Sequence, residues 1–312
     1  MDAIILAGAG KTSRLIFGEN KAFLLIKDRP LIEWVLEAVL NAQGIERIAV
    51  VGPKEPLNQT LEKYLSAGVI LVEQGKSLYE NAFRAIYQVL GIKDESELNP
   101  EQKKKSVLAL SADIPLLVSE EIEYFLKKAD LSRYDFIYGV CSEDTLKKFS
   151  SQPEKPGIDL ACFHTDQFSG RICNLVLAKP FQFKNRALLD QTYSLRYQKN
   201  PFNIIKTILK MLALLQPGLL WNYLWLQLGL QAEKSGRKNL AHWTGKRVKL
   251  EKVLKQISHL LGLCFGILET PFGGSALDAD NERDFLILAQ RFDEWKNQQK
   301  KIGAELKEKG II

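Results

Sequence analysis

Three stretches of this chain carry residues suited to binding anions or metal ions. The first is Leu6-Ala7-Gly8-Ala9-Gly10-Lys11-Thr12-Ser13-Arg14, directly after an apolar run from Ala3, with Lys21 a short way on. Glycine lets the chain turn tightly and lets backbone N–H groups approach an anion closely. Lys11 and Arg14 add charge, and Thr12 and Ser13 add donors. Such a turn suits a triphosphate. The second is Asp113, which follows the apolar run Val107-Leu108-Ala109-Leu110. Ligands of open α/β sheets bind at the carboxyl ends of strands, where Asp113 would stand. The third is Asp278-Ala279-Asp280-Asn281-Glu282-Arg283-Asp284, acidic and placed just before a helical pattern.

The glycine turn has rival readings. Gly10-Lys11-Thr12 ends like a P-loop, but that motif opens on a glycine where this chain has Ile5. A surface turn with incidental cations is the bland alternative.

The surrounding pattern says what positions these groups. Ala3 to Ala7 reads as a buried parallel strand. Leu31 to Leu40 has helical spacing and stops at Asn41-Ala42-Gln43-Gly44. Strands are expected at 48–51 and 69–72, with a short helix from Leu57 to Leu65 between them. Ser77 predicts an N-cap for a helix from Leu78 to Leu90, with Glu80 completing a capping box. Residues 93–105 read as a solvated loop. The order strand–helix–strand–helix–strand implies a parallel sheet with right-handed crossovers. After the strand at 107–110, Ser119 is expected to cap a helix reaching Ala129, which leaves Asp113 free for a ligand. A strand is expected at 135–140. Ile158 to Phe163 and Ile172 to Leu177 read as a strand pair. Glu251 to Leu261 is an amphipathic helix, 266–269 a late strand, and a last helix runs to Trp295 before a fraying polar tail.

Leu6-Ala7-Gly8, Arg14, Lys21-Ala22 and Pro30-Leu31-Ile32-Glu33 together resemble the N-terminal signature of the sugar-phosphate and cofactor nucleotidyltransferases, and more narrowly the MobA-like NTP transferases. The chain differs in having Ala9 where the family has Gly, an Arg one residue later, and Ile16 where a Gly often stands. The resemblance implies that Leu6, Ala7, Gly8, Ala9, Gly10, Lys11, Thr12 and Ser13 wrap the phosphates of an NTP. It implies that Arg14 and Lys21 are catalytic, neutralising charge as pyrophosphate leaves. Gly75-Lys76-Ser77 with Asn81 is similar to a segment near the base and ribose; Ser77 can equally be only a helix cap. Ala112-Asp113-Ile114-Pro115 is similar to a Gly-Asp-x-Pro signature, which makes Ala112 nucleotide-binding and Asp113 a Mg²⁺ ligand. Gly170, Arg171 and Asn174 fall where the acceptor binds; Arg171 also reads as an exposed strand residue. Asp280 matches a second Mg²⁺ position, with Asp278 in reserve and Asp284 facing the helix dipole.

The implied fold is a Rossmann-like three-layer α/β/α sandwich with a mostly parallel, mixed sheet and a helical insertion near the C-terminal third. The expected division is a core over 1–200, a helical subdomain over 201–262, a return to the core over 263–295 and a polar tail over 296–312. The implied reaction moves an NMP group from an NTP, GTP or CTP, to an anionic, phosphorylated metabolite. A metal-dependent glycosyltransferase and a nucleotide-binding protein without turnover stay as alternatives.

With 46% hydrophobic and 26% charged residues, the 312-residue chain has an ordinary globular composition. A net charge of +6 suits a polyphosphate pocket, and no basic block with interleaved aromatics points to nucleic acid. Cys141, Cys162, Cys173 and Cys264 show no metal spacing and read as small hydrophobes. His164, His242 and His259 are isolated in sequence from one another and from cysteine, so no zinc-site spacing appears. No signal-peptide pattern opens the chain, so a cytoplasmic location is expected. Residues 201–230 leave three readings: a helical subdomain burying Trp221 and Trp225, an interfacial membrane helix, and a dimer surface. The first apolar stretch is too short and too charged for a transmembrane span.

Overall fold

Strand β1 (Asp2–Leu6) serves two cores. Ala3 and Ile5 join one apolar cluster and Ile4 the other. That alternation is what a strand covered on both faces requires. The structure, a computed structural model, describes residues 1–8, 15–185 and 217–312, with the backbone alone for 217–220. The phosphate-turn residues Ala9, Gly10, Lys11, Thr12, Ser13 and Arg14 therefore lie outside the described residues, as do 186–216.

Strands β2 (Leu25–Ile26) and β3 (Arg29–Pro30) form a small antiparallel hairpin ahead of α1 (Leu31–Leu40). Then come β4 (Ile48–Gly52), α2 (Lys54–Leu61), β5 (Val69–Glu73) and α3 (Leu78–Leu90). Next are β6 (Val107–Ser111), α4 (Ser119–Lys128), β7 (Phe136–Ser142), α5 (Glu143–Leu146), β8 (Phe163–His164) and β9 (Ser169–Ala178). After the undescribed stretch follow α6 (Pro217–Lys234), α7 (Lys238–Gly245), α8 (Leu250–Leu261), β10 (Phe265–Thr270) and α9 (Glu282–Glu308).

The main sheet runs β10-β7-β9-β6-β1-β4-β5, with β8 paired to the start of β9. It is parallel except for β9, which is antiparallel to both β6 and β7. Buried residues of α1, α2, α4 and α9 pack on one face. Ala85, Ile86, Val89 and Leu90 of α3 cover the other beside Ile4, Ala49 and Val51. This is the expected Rossmann-like three-layer sandwich. Cys141, Cys162 and Cys173 are buried free thiols, and Cys264 is exposed.

Four expectations change. Ser119 does not cap α4: Val118 is the extended residue before it and Ser119 is already helical, its hydroxyl turned to Glu120. Only Phe163 of the 158–163 run enters a strand. Ile158 and Cys162 are instead buried in the core as loop residues, so burial alone accounts for their apolar character. Trp221 is 61% exposed instead of buried. Residues 296–308, expected to fray, continue α9, and Lys296 and Gln299 are buried. No helix among the described residues is long and apolar enough to cross a membrane.

Candidate active site

The parallel strands deliver the site to their carboxyl ends. Ala112 donates its N–H to the Leu6 carbonyl at 3.1 Å, and Ala7 donates to Val51 at 2.8 Å, so the ends of β1, β4 and β6 are held together. Asn20 donates its side-chain amide to the Ala7 carbonyl at 3.0 Å and accepts the Ala22 N–H at 3.1 Å. That double contact fixes the single 3₁₀ turn Lys21–Phe23 beside the end of β1. On the other side, the buried Asn81 accepts the Gly75 N–H through Oδ1 at 2.5 Å. A Cβ at Gly8 would lie 2.6 Å from Asn81 Nδ2, so a larger residue would have to displace the Asn81 side chain. Ser77 caps α3 by accepting the Glu80 N–H at 3.1 Å, while Glu80 reaches back to the Lys76 N–H and not to that of Ser77.

Lys21 stands among carboxylates. Its ammonium is 3.0 Å from Asp280 Oδ1 and 3.5 Å from Asp113 Oδ2. Arg171, at the start of β9, is 2.9 Å from Asp278 Oδ1 and 3.5 Å from Asp280 Oδ2. Ser111 donates to Asp113 Oδ1. Residues far apart in sequence thus form one cluster of three aspartates, a lysine and an arginine. Burial pushes the Asp278 carboxyl up to about 6, with Asp113 and then Asp280 adding to the effect. Burial pulls Lys21 down, but Asp113 and then Asp280 outweigh it and its pKa ends up raised. Crowded carboxylates with oxygen-only donors are the set a hard divalent cation such as Mg²⁺ takes, usually keeping room for water and phosphate oxygens.

The buried part of α9 positions both acidic segments. Lys296 donates to the Pro115 and Leu117 carbonyls at 2.8 and 2.6 Å, fixing the chain after Asp113. Gln299 Oε1 accepts the Gly273 and Gly274 N–H groups at 2.9 and 3.1 Å, fixing the chain before Asp278. Glu121 accepts the Ser275 N–H at 3.2 Å and its hydroxyl as well. Burying a backbone donor without a partner costs about 1–3 kcal/mol, and Gln299→Leu orphans two, so this variant should lose about 2 kcal/mol or more in urea unfolding. An unchanged midpoint would show that Gln299 does not hold the segment.

Glu121 also predicts a pH effect. Burial raises its carboxyl from 4.5 to about 7. Between those values the folded protein keeps a proton that the unfolded chain has lost, so the contribution of Glu121 to stability falls as pH rises through the window. Glu121→Gln cannot titrate there. The melting temperature of the variant minus that of the wild type should therefore rise from pH 4.5 to pH 7. A difference independent of pH would contradict the assignment.

Of the residues singled out in the sequence, Lys21, Asp113, Asp280, Arg171 and the reserve Asp278 come together. Leu6, Ala7, Gly8, Ala112, Ser77 and Asn81 line the adjoining strand ends and the start of α3. Gly170 has a structural reason of its own: a Cβ there would lie 2.1 Å from the Cys141 carbonyl oxygen. Asn174 is half-buried in β9, within the stretch where the register against β7 shifts. Lys296 and Gln299 were not legible as site-positioning groups, because their polarity suggested solvent.

The fold and the site together define a Rossmann-like α/β protein of the nucleotidyltransferase type. The chain belongs to the family of the MobA-like NTP transferase domain, whose profile matches residues 3–257. It is 30% identical over 130 residues to a 2-C-methyl-D-erythritol 4-phosphate cytidylyltransferase of Thermotoga neapolitana, covering 41% of this chain and 54% of that protein. It is also 30% identical over 92 residues to the protein of that name from a Synechococcus species, covering 28% of this chain and 40% of that protein. The chain thus spans about half, or less, of the length of these curated relatives. A solved structure described as a hypothetical transferase from Thermus thermophilus superposes with a TM-score of 0.59 at 23% identity, covering 91% of this chain and 98% of that one. That likeness speaks for the fold.

Proposed function

We propose that this protein transfers a nucleotidyl group from an NTP to an anionic, phosphorylated small metabolite and releases pyrophosphate. The observation that carries the reading is Lys21 set between Asp113 and Asp280, with Arg171 opposite, at the strand ends beside Gly8. An oxygen of the acceptor attacks the α-phosphorus in line, and the bond to the pyrophosphate oxygen breaks. There is little covalent work for the protein to do, so positioning and charge neutralisation dominate.

Asp113 and Asp280 are the residues that would hold Mg²⁺, with Asp278 beside them; the ion supplies Lewis-acid charge at the phosphates. Lys21 neutralises charge on the phosphate side, and Arg14 and the rest of residues 9–14 are assigned there by resemblance. Arg171 has a planar fork suited to a phosphate or carboxylate of the acceptor. Asn81, locked by Gly75 and pressed on Gly8, shapes the nucleotide side. The curated relatives are named for CTP chemistry on a polyol phosphate, so CTP and polyol phosphates are the first substrates to try here.

The test is pyrophosphate release from each of the four NTPs with Mg²⁺ and a panel of phosphate monoesters, run beside melting-temperature shifts with the same NTPs. Pyrophosphate formation that needs both an NTP and an acceptor supports the reading. Nucleotide binding without turnover across the panel would point to a binding protein, and turnover only with nucleotide sugars to a glycosyltransferase.

A further inference from the structure

Two of the three histidines in the chain meet where α6 and α7 dock on β8. His164 ends β8 and is buried; His242 lies on α7. Their ring centroids are 4.1 Å apart. His242 Nε2 is 3.6 Å from Glu143 Oε2, on α5. His164 Nε2 is 3.3 Å from Glu233 Oε2, on α6, and its Nδ1 is 2.9 Å from Ser169 Oγ. One donor atom each from Glu143, His164 and His242 lie within 4.8 Å of one another. The close approach depends on Gly245 at the end of α7, where a Cβ would lie 2.4 Å from the His164 Cβ.

We propose that Glu143, His164 and His242 bind a divalent transition-metal ion, Zn²⁺ by their ligand chemistry. Imidazole nitrogens with a carboxylate form a donor set that zinc takes in tetrahedral sites. The aspartate cluster beside Lys21 is oxygen-only and selects differently. Each imidazole faces a carboxylate across van der Waals distance of the other ring. One divalent ion satisfies both imidazoles and the Glu143 carboxylate together. A ligating histidine normally gives its second ring N–H to an oxygen. Ser169 Oγ fills that role at Nδ1 of His164 and leaves Nε2 for the ion. Lys147 is the competing cation, 3.6 Å from Glu143, but it faces Oε1, the oxygen turned from His242. The ion ties the inserted helices to the edge of the sheet, beside the strand that carries Arg171.

The experiment strips the full chain with a chelator and titrates Zn²⁺ by calorimetry and by melting temperature. One equivalent should bind and raise the melting temperature, and Co²⁺ in its place should give visible absorption of a low-coordinate nitrogen–oxygen site. His242→Ala, whose side chain is 43% exposed, should fold and lose more than the roughly 10–100-fold in affinity that an outer-shell partner is worth. Ser169→Ala should fall within that smaller range. Asp113→Asn combined with Asp280→Asn should leave Zn²⁺ affinity unchanged. A stripped wild type that takes up no Zn²⁺ overturns the proposal. So does unchanged affinity in His242→Ala, or affinity lost in the aspartate double variant.

Discussion

Lys21→Ala should slow nucleotidyl transfer by about 10²-fold or more, the scale of removing one preorganised charge contact. The ammonium sits 3.0 Å from Asp280 and 3.5 Å from Asp113, so it competes with any cation for the same oxygens. Removing it should therefore tighten Mg²⁺ binding in the absence of nucleotide while turnover falls. Opposite movement of these two quantities separates loss of a charge from loss of the fold, since a collapsed variant would lose both. Pyrophosphate release gives the first quantity, and the dependence of melting temperature on Mg²⁺ gives the second. Wild-type turnover in Lys21→Ala, with a substrate validated on the parent protein, would remove this residue from the mechanism. Arg14→Ala carries the same expectation for rate.

Asp113→Asn should cost at least as much, about 10²-fold or more, and should shift the Mg²⁺ requirement to higher concentration. The change keeps the shape and removes one charge from a cluster in which three carboxylates share two cations. It also relieves its neighbour. Asp278 stands at about 6 chiefly through burial, with Asp113 the next cause, so its pKa should fall when Asp113 becomes neutral. A carboxyl carbon titration by NMR reads that fall directly, without any substrate. Undiminished Mg²⁺-dependent activity in Asp113→Asn would falsify the metal assignment. An unmoved Asp278 titration would show that the two carboxylates do not interact.

The parts of the fold legible in the sequence are those with local causes. The run of β1, the period of α1 and the Ser77 cap of α3 each follow from residues within a few positions, and the structure has them where expected. Asp113 was legible because a strand end is itself a local signal. The end of α9 was not. Its Lys and Glu content reads as solvated, and nothing nearby shows that Lys296 meets the Pro115 and Leu117 carbonyls. His164 and His242 looked isolated for the same reason: spacing along the chain says nothing about two residues joined by a docking helix. Trp221 shows the converse error, an apolar side chain assumed to be buried that the fold leaves 61% exposed.

The reversed strand β9 ends at the rim of the sheet where β10 begins. Its last residue, Ala178, and the first residue of β10, Phe265, both pair with Phe136 on β7, from opposite sides. The excursion over residues 179–264 therefore leaves and rejoins the sheet at one rim, across roughly two strand spacings, about 10 Å. A few extended residues cover that distance. The sheet and its aspartate cluster are then indifferent to the length of the excursion, since loop-closure entropy grows only slowly with length. Changes of length outside the helices docked on β8 are ones the core can absorb, so variation in size among relatives should concentrate there.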